Sequence, residues 1–109
     1  PARSTVAQRV EAALGPVAML VADEPELAAG VTTALLAHDP DVRRLREQIG
    51  QQFAERLAAA LGPKVAPASQ LGLTMAFTGG LLTAGMGQLD YRAVAPMVAE
   101  LATRVVGRR

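Results

Sequence analysis

The chain has no cysteine and no tryptophan, and among its 109 residues there are one histidine, one tyrosine and two phenylalanines. Without cysteine there is no disulfide framework and no thiolate metal site, which fits a reducing cytoplasm. With aromatics at 3% and hydrophobic residues at 50%, a core has to be built from Ala, Leu, Val and Met with Gly as spacer. That is a helical composition. The length suits one domain, large enough to bury a real core.

Neither sign of charge dominates. The formal charge is +1, and a pI near 9.0 carries little meaning when acids and bases almost cancel, so no nucleic-acid footprint follows. Arg43, Arg44 and Arg46 form a basic cluster, but Asp39, Asp41 and Glu47 are interleaved with it, as in a solvated helix start. No signal peptide opens the chain, Pro1 begins it without an initiator Met, and Arg108 and Arg109 end it abruptly. These features read as a piece of a longer protein or a processed form of one.

Proline and glycine divide the sequence into five or six segments with apolar residues at helical spacing and no convincing strand, which predicts an all-α fold. The first helix is expected from about Ser4, as N-cap, to Leu14, where Gly15-Pro16 stops it. The apolar segment PVAMLVA follows. Pro25 suits a first helical position, and Leu27, Val31, Ala34 and Leu35 share a face. Asp39 and Pro40 then open a helix in which Val42, Leu45, Ile49, Phe53 and Leu57 are expected to line a buried stripe, ending at Gly62-Pro63. Pro67 can open the next helix and Asp90 can cap the last. Pro96 lies inside that last helix, where a kink or a start near Ala95 would accommodate its missing amide.

Between Lys64 and Asp90 no side chain carries a charge. Placed at about 100° per residue, residues 68 to 88 show a bulky face (Leu71, Met75, Thr78, Leu82, Met86) and a second apolar face (Leu73, Phe77, Leu81, Ala84). Between them runs a strip of small residues: Gly72, Ala76, Gly79, Gly80, Thr83 and Gly87. A helix apolar nearly all round must be covered on most sides. The length permits a membrane span, but Pro67, Ser69, Gln70, Gln88, three threonines and the absence of an aromatic belt or flanking basic cluster argue against one. The reading adopted is a two-fold dimer of the last two helices, a four-helix interface. Gly72, Ala76, Gly80 and Thr83 would allow close approach, and Leu73, Phe77, Leu81, Ala95, Val98 and Ala102 would supply buried area.

The stretch ADEPELAAGVTTALLAHDPDVRRLREQIGQQFAERLAAALG and the later MAFTGGLLTAGMGQLDYRAVAPMVAELATRVV resemble the C-terminal ligand-binding and dimerisation domain of TetR-family transcriptional regulators, particularly the actinobacterial type. The resemblance covers nearly the whole chain. It implies a parent protein, repressor or occasionally activator, whose helix-turn-helix binds operator DNA and whose C-terminal helices enclose a pocket for a small-molecule effector. It also implies pairing of the last two helices with those of a second subunit. No three-helix unit with a basic recognition helix stands in these 109 residues, so operator contact is expected only through a missing N-terminal domain. The protein is expected to be cytoplasmic, with no membrane partner and no cofactor.

The pocket is expected to be mostly apolar, with Met19 and Leu20 of PVAMLVA, Val31, Thr32 and Leu35, Phe53 and Leu57, and Met75 and Thr78 converging on it. Thr32, Thr33 and Thr78 have a second reading, a hydroxyl bonded back to the preceding turn. The methionines can fill core gaps as readily as line a cavity. His38 follows Leu27, Val31 and Leu35 near a helix end, where a structural role fits better than ligation. Ser4 and Ser69 lack a nucleophile-elbow context, and Asp39 and Asp41 are accounted for by capping, so no catalytic residue and no enzyme is expected. A structural helical dimerisation module without a ligand is the alternative.

Overall fold

The first helix starts where a threonine and a glutamine can satisfy each other's backbone. Thr5 accepts from the Gln8 amide at 3.1 Å while the Gln8 side chain accepts from the Thr5 amide at 2.9 Å, a reciprocal capping box. This computed structural model describes residues 4–106 and contains five helices, with no strand among the described residues. They are α1 (Val6–Asp23), α2 (Pro25–Leu36), α3 (Pro40–Leu61), α4 (Pro67–Gly85) and α5 (Tyr91–Val106).

Two expectations about α1 are corrected. Thr5, not Ser4, is the cap, and Gly15-Pro16 does not stop the helix, so PVAMLVA is its second half. Pro16 is exposed, so its missing amide and ring disturb the solvent side, while Val6, Val10, Leu14, Ala18 and Val21 continue one buried stripe across it. An interior proline costs about 3 kcal/mol, and burial of the stripe outweighs it. The other starts follow the sequence. Pro25, Pro40 and Pro67 each stand in a first helical turn, and Asp39 Oδ1 accepts from the amides of Asp41 and Val42. Asp90 accepts from the Arg92 amide at 2.9 Å. The last helix starts there, with Pro96 inside it, and not at Ala95. Gly62 and Gly87 take φ of +92° and +81°, turns that residues with a Cβ rarely make.

Four helices form a ring in the order α1, α5, α4, α3, with α1 diagonal to α4 and α3 diagonal to α5. The ring encloses Val6, Val10, Leu14, Leu57, Leu61, Leu73, Phe77, Leu81, Val94 and Val98, together with Ala95, Ala99 and Ala102 of α5. Phe53 and Phe77 meet at 5.8 Å between ring centres, tilted by 58°. The stripe expected on α3 is buried only in its last turns. Leu57, Ala60 and Leu61 face the core, Phe53 is half-buried, and Leu45 and Ile49 are exposed because the first half of α3 runs past the ring's contacts. α2 packs on α1, α3 and α4 without burying a single residue fully.

Small residues set how closely the ring closes. A Cβ built on Gly80 would stand 2.7 Å from Val94 Cγ1, so α5 approaches α4 closer than any side chain at position 80 permits. Gly80→Ala should therefore lower the unfolding midpoint, because overpacking typically costs about 1–3 kcal/mol against a helix-propensity gain of about 1 kcal/mol. Gly50→Ala, at a position with nothing within 4 Å, keeps the gain alone and should raise the midpoint. Urea unfolding followed by circular dichroism reads both, and equal shifts of one sign would refute the close-approach argument.

Candidate ligand groove and association face

The residues expected to converge on a pocket do not meet at one place. Met19, Leu20 and Met75 are 42%, 59% and 64% exposed, so none of them serves an enclosed cavity. Leu57 is buried in the core, Leu35 and Phe53 pack against it, and Val31 and Thr78 are half-buried. The space expected between Phe53, Leu57 and the uncharged helix is occupied in part by the contact of Phe53 with Phe77. Of the predicted set, Thr32 lines a groove.

That groove, of about 520 Å³, lies where the end of α1, the start of α2, the end of α4 and the start of α5 come together. Val21, Ala22, Pro25, Ala28, Ala29, Thr32, Ala84, Gly85 and Tyr91 line it. Gly85 is in close contact with α2 and α5: a Cβ there would overlap Thr32 Oγ1 and lie 3.2 Å from the Tyr91 hydroxyl. Thr32 donates back to the Ala28 carbonyl at 3.2 Å, and Thr33 to Ala29 at 3.0 Å. Arg92 pairs with Asp23, joining the residues that follow Tyr91 and Ala22 in sequence. Sequence reasoning missed Gly85 and Tyr91. The signal available was the sole tyrosine, six residues beyond a glycine across a tight turn.

The C-terminal end of α2 is fastened by one side chain. Arg46 of α3 donates to the carbonyls of Ala34, Leu35 and Ala37 at 2.9, 3.2 and 2.9 Å, where the helix end leaves acceptors unsatisfied. Arg9 of α1 does the same for α3, donating from Nε to the Ala60 carbonyl at 2.7 Å. His38 stands exposed in the connection after α2, outside the helical face assigned to it. Among the described residues no three His, Cys, Asp or Glu side chains gather as a metal site, and no helix is long and apolar enough to cross a membrane.

Most of the predicted dimer residues point inward. Leu73, Phe77, Leu81, Ala95, Val98 and Ala102 are buried in the chain's own core and have no area left for a second copy, and Gly80 serves the contact with Val94. Gly72 is exposed, and Ala76 and Thr83 are half-buried. The outward apolar surface is instead the bulky face of α4, where Leu71, Met75 and Met86 are 61%, 64% and 64% exposed. On neighbouring α5, Met97, Leu101 and Val105 are exposed as well.

Comparison with curated proteins finds uncharacterized HTH-type transcriptional regulators of Mycobacterium bovis (strain ATCC BAA-935 / AF2122/97) and Mycobacterium tuberculosis (strains CDC 1551 / Oshkosh and ATCC 25618 / H37Rv). Each is 43% identical over 89 residues, 80% of this chain and 42% of the relative. The chain spans less than half the length of the curated relatives it matches. No family model and no solved structure matches it.

Because charge-assisted hydrogen bonds contribute about 1.5–3 kcal/mol, Arg46→Ala should unfasten α2 more than it destabilises the ring. Amide hydrogen exchange should show residues 28 to 36 losing protection by at least tenfold while residues 73 to 84 and 94 to 102 keep theirs. Uniform loss across all five helices would show that Arg46 supports the whole fold and not the groove wall.

Proposed function

We propose that the chain is the effector-sensing and dimerisation part of an HTH-type transcriptional regulator of the TetR kind, a repressor whose DNA binding changes when a small, mostly apolar molecule binds. The observation that carries the reading is the 43% identity over 89 residues to the mycobacterial regulators. Operator DNA would be contacted by a helix-turn-helix outside these 109 residues, in the cytoplasm, without a cofactor. Nothing in the reading calls for an enzyme.

The homodimer in this proposal uses the outward stripes of α4 and α5. Leu71, Met75, Met86, Met97 and Leu101 form an apolar surface with no charged residue on its α4 side, the kind of patch that monomers rarely leave open. Two-fold pairing asks only that the face complement itself, and exposed Gly72 and Gly79 beside the stripe permit close approach. The rival reading, a structural dimerisation module without a ligand, is favoured by the packing of Phe53 on Phe77 where an enclosed pocket was expected.

The wild-type chain should sediment as a dimer at micromolar concentration. Met75→Glu and Leu101→Glu, both at exposed positions, should leave the helical content unchanged and weaken association by at least tenfold each. Full burial of such side chains is worth about 1.5–3 kcal/mol. A wild-type monomer, or variants that dimerise as before, would remove the dimer from the proposal.

A further inference from the structure

Resting on the sensing reading, we infer that the groove between α1, α2, α4 and α5 binds a small neutral molecule with a flat apolar body and one hydroxyl, which Tyr91 and Thr32 recognise together. Size comes first. About 520 Å³ falls within the range of about 300–1,000 Å³ typical of small-molecule sites. A docked helix about 10 Å across would fill it with little more than one turn, so a polypeptide occupant gains little.

Charge comes second. None of the nine lining residues is Asp, Glu, His, Lys or Arg. Asp23 and Arg92, which adjoin the lining residues Ala22 and Tyr91 in sequence, are already paired with each other. An anionic or cationic ligand would lose hydration without meeting a counter-charge.

The hydroxyls supply the polarity. Thr32, which lines the groove, uses its proton on the Ala28 carbonyl, so its oxygen remains an acceptor. Tyr91 makes no hydrogen bond with the described residues, so its O–H remains available as a donor. Both crowd the α4 backbone at Gly85, where a Cβ would overlap Thr32 Oγ1 and lie 3.2 Å from the Tyr91 hydroxyl, so the two oxygens are near enough for one ligand hydroxyl to reach both. A ligand hydroxyl on the groove side of the pair accepts from Tyr91 and donates to Thr32, and the apolar body lies along Val21, Ala22 and Ala28. Glycine at position 85 lets the pair sit this close to α4.

The test uses the ¹⁵N-labelled chain and 2-naphthol, with naphthalene and 2-naphthoate as matched probes lacking the hydroxyl or carrying charge. Titration with 2-naphthol should shift amides of residues 28 to 32, 85 and 91, with affinity about tenfold above naphthalene and further above 2-naphthoate. Tyr91→Phe should remove the preference for naphthol over naphthalene, a loss of about five- to tenfold. Ala29→Leu, at an exposed position on the groove wall, should block both without changing the helical content. Shifts centred elsewhere, or binding untouched by Ala29→Leu, would overturn the groove assignment and leave sensing by another site standing. No shift with any probe up to its solubility would also overturn it. Groove amides that shift on dilution of the unliganded chain would make a second copy the occupant, again against the inference.

Discussion

The close approach of α5 to both of its ring neighbours is the constraint on which the other features depend. A chain with three aromatic residues cannot fill a wide core, so its helices must come close enough for methyl and isopropyl groups to touch. Gly80 allows this against Val94 on the α4 side, and Ala95, Ala99 and Ala102 are buried to within 3% exposure as α5 meets α1. With α5 so placed, Gly80 and the Leu73, Phe77 and Leu81 face of the uncharged helix are turned toward their own chain. The bulky strip is left outside.

Closure of the ring leaves α2 as the loosest element. It buries no residue fully, and its C-terminal carbonyls are held by Arg46. A helix fastened by polar contacts over small side chains leaves space beneath it. The groove is that space, lined in part by Ala84 and Gly85 of α4. Its hydroxyl pair and its freedom from ionic groups come from the same junction.

The groove and the outward face share helices. Gly85 ends α4 and Tyr91 begins α5, while Met75 of α4, Met86 just after it, and Met97 and Leu101 of α5 carry the exposed apolar surface. The turn between the two helices is fastened by the Met86 amide on Leu82, Gly87 on Ala84 and Gln88 on Thr83. A molecule seated against Gly85 and Tyr91 therefore touches the elements on which pairing of two copies is proposed to depend.

Local chemistry was legible in the sequence. The helical class followed from composition and spacing, and Pro25, Pro40, Pro67, Asp39 and Asp90 marked starts that the structure keeps, because first-turn prolines and capping carboxylates act within three residues. Where local and tertiary forces oppose each other the sequence misled. Gly15-Pro16 reads as a stop, but the buried stripe from Val6 to Val21 carries α1 through it. Orientation of α4 could not be read at all: a helix apolar on nearly every side has no polar face to point outward, so a wheel offers equal claims to Leu73 and to Met75. Only the packing of α5 on Gly80 decided that Leu73, Phe77 and Leu81 face inward. Only the meeting of four helix ends brought Thr32, Gly85 and Tyr91, spread over sixty residues, to one groove, since contacts between distant segments leave no periodic trace in the sequence.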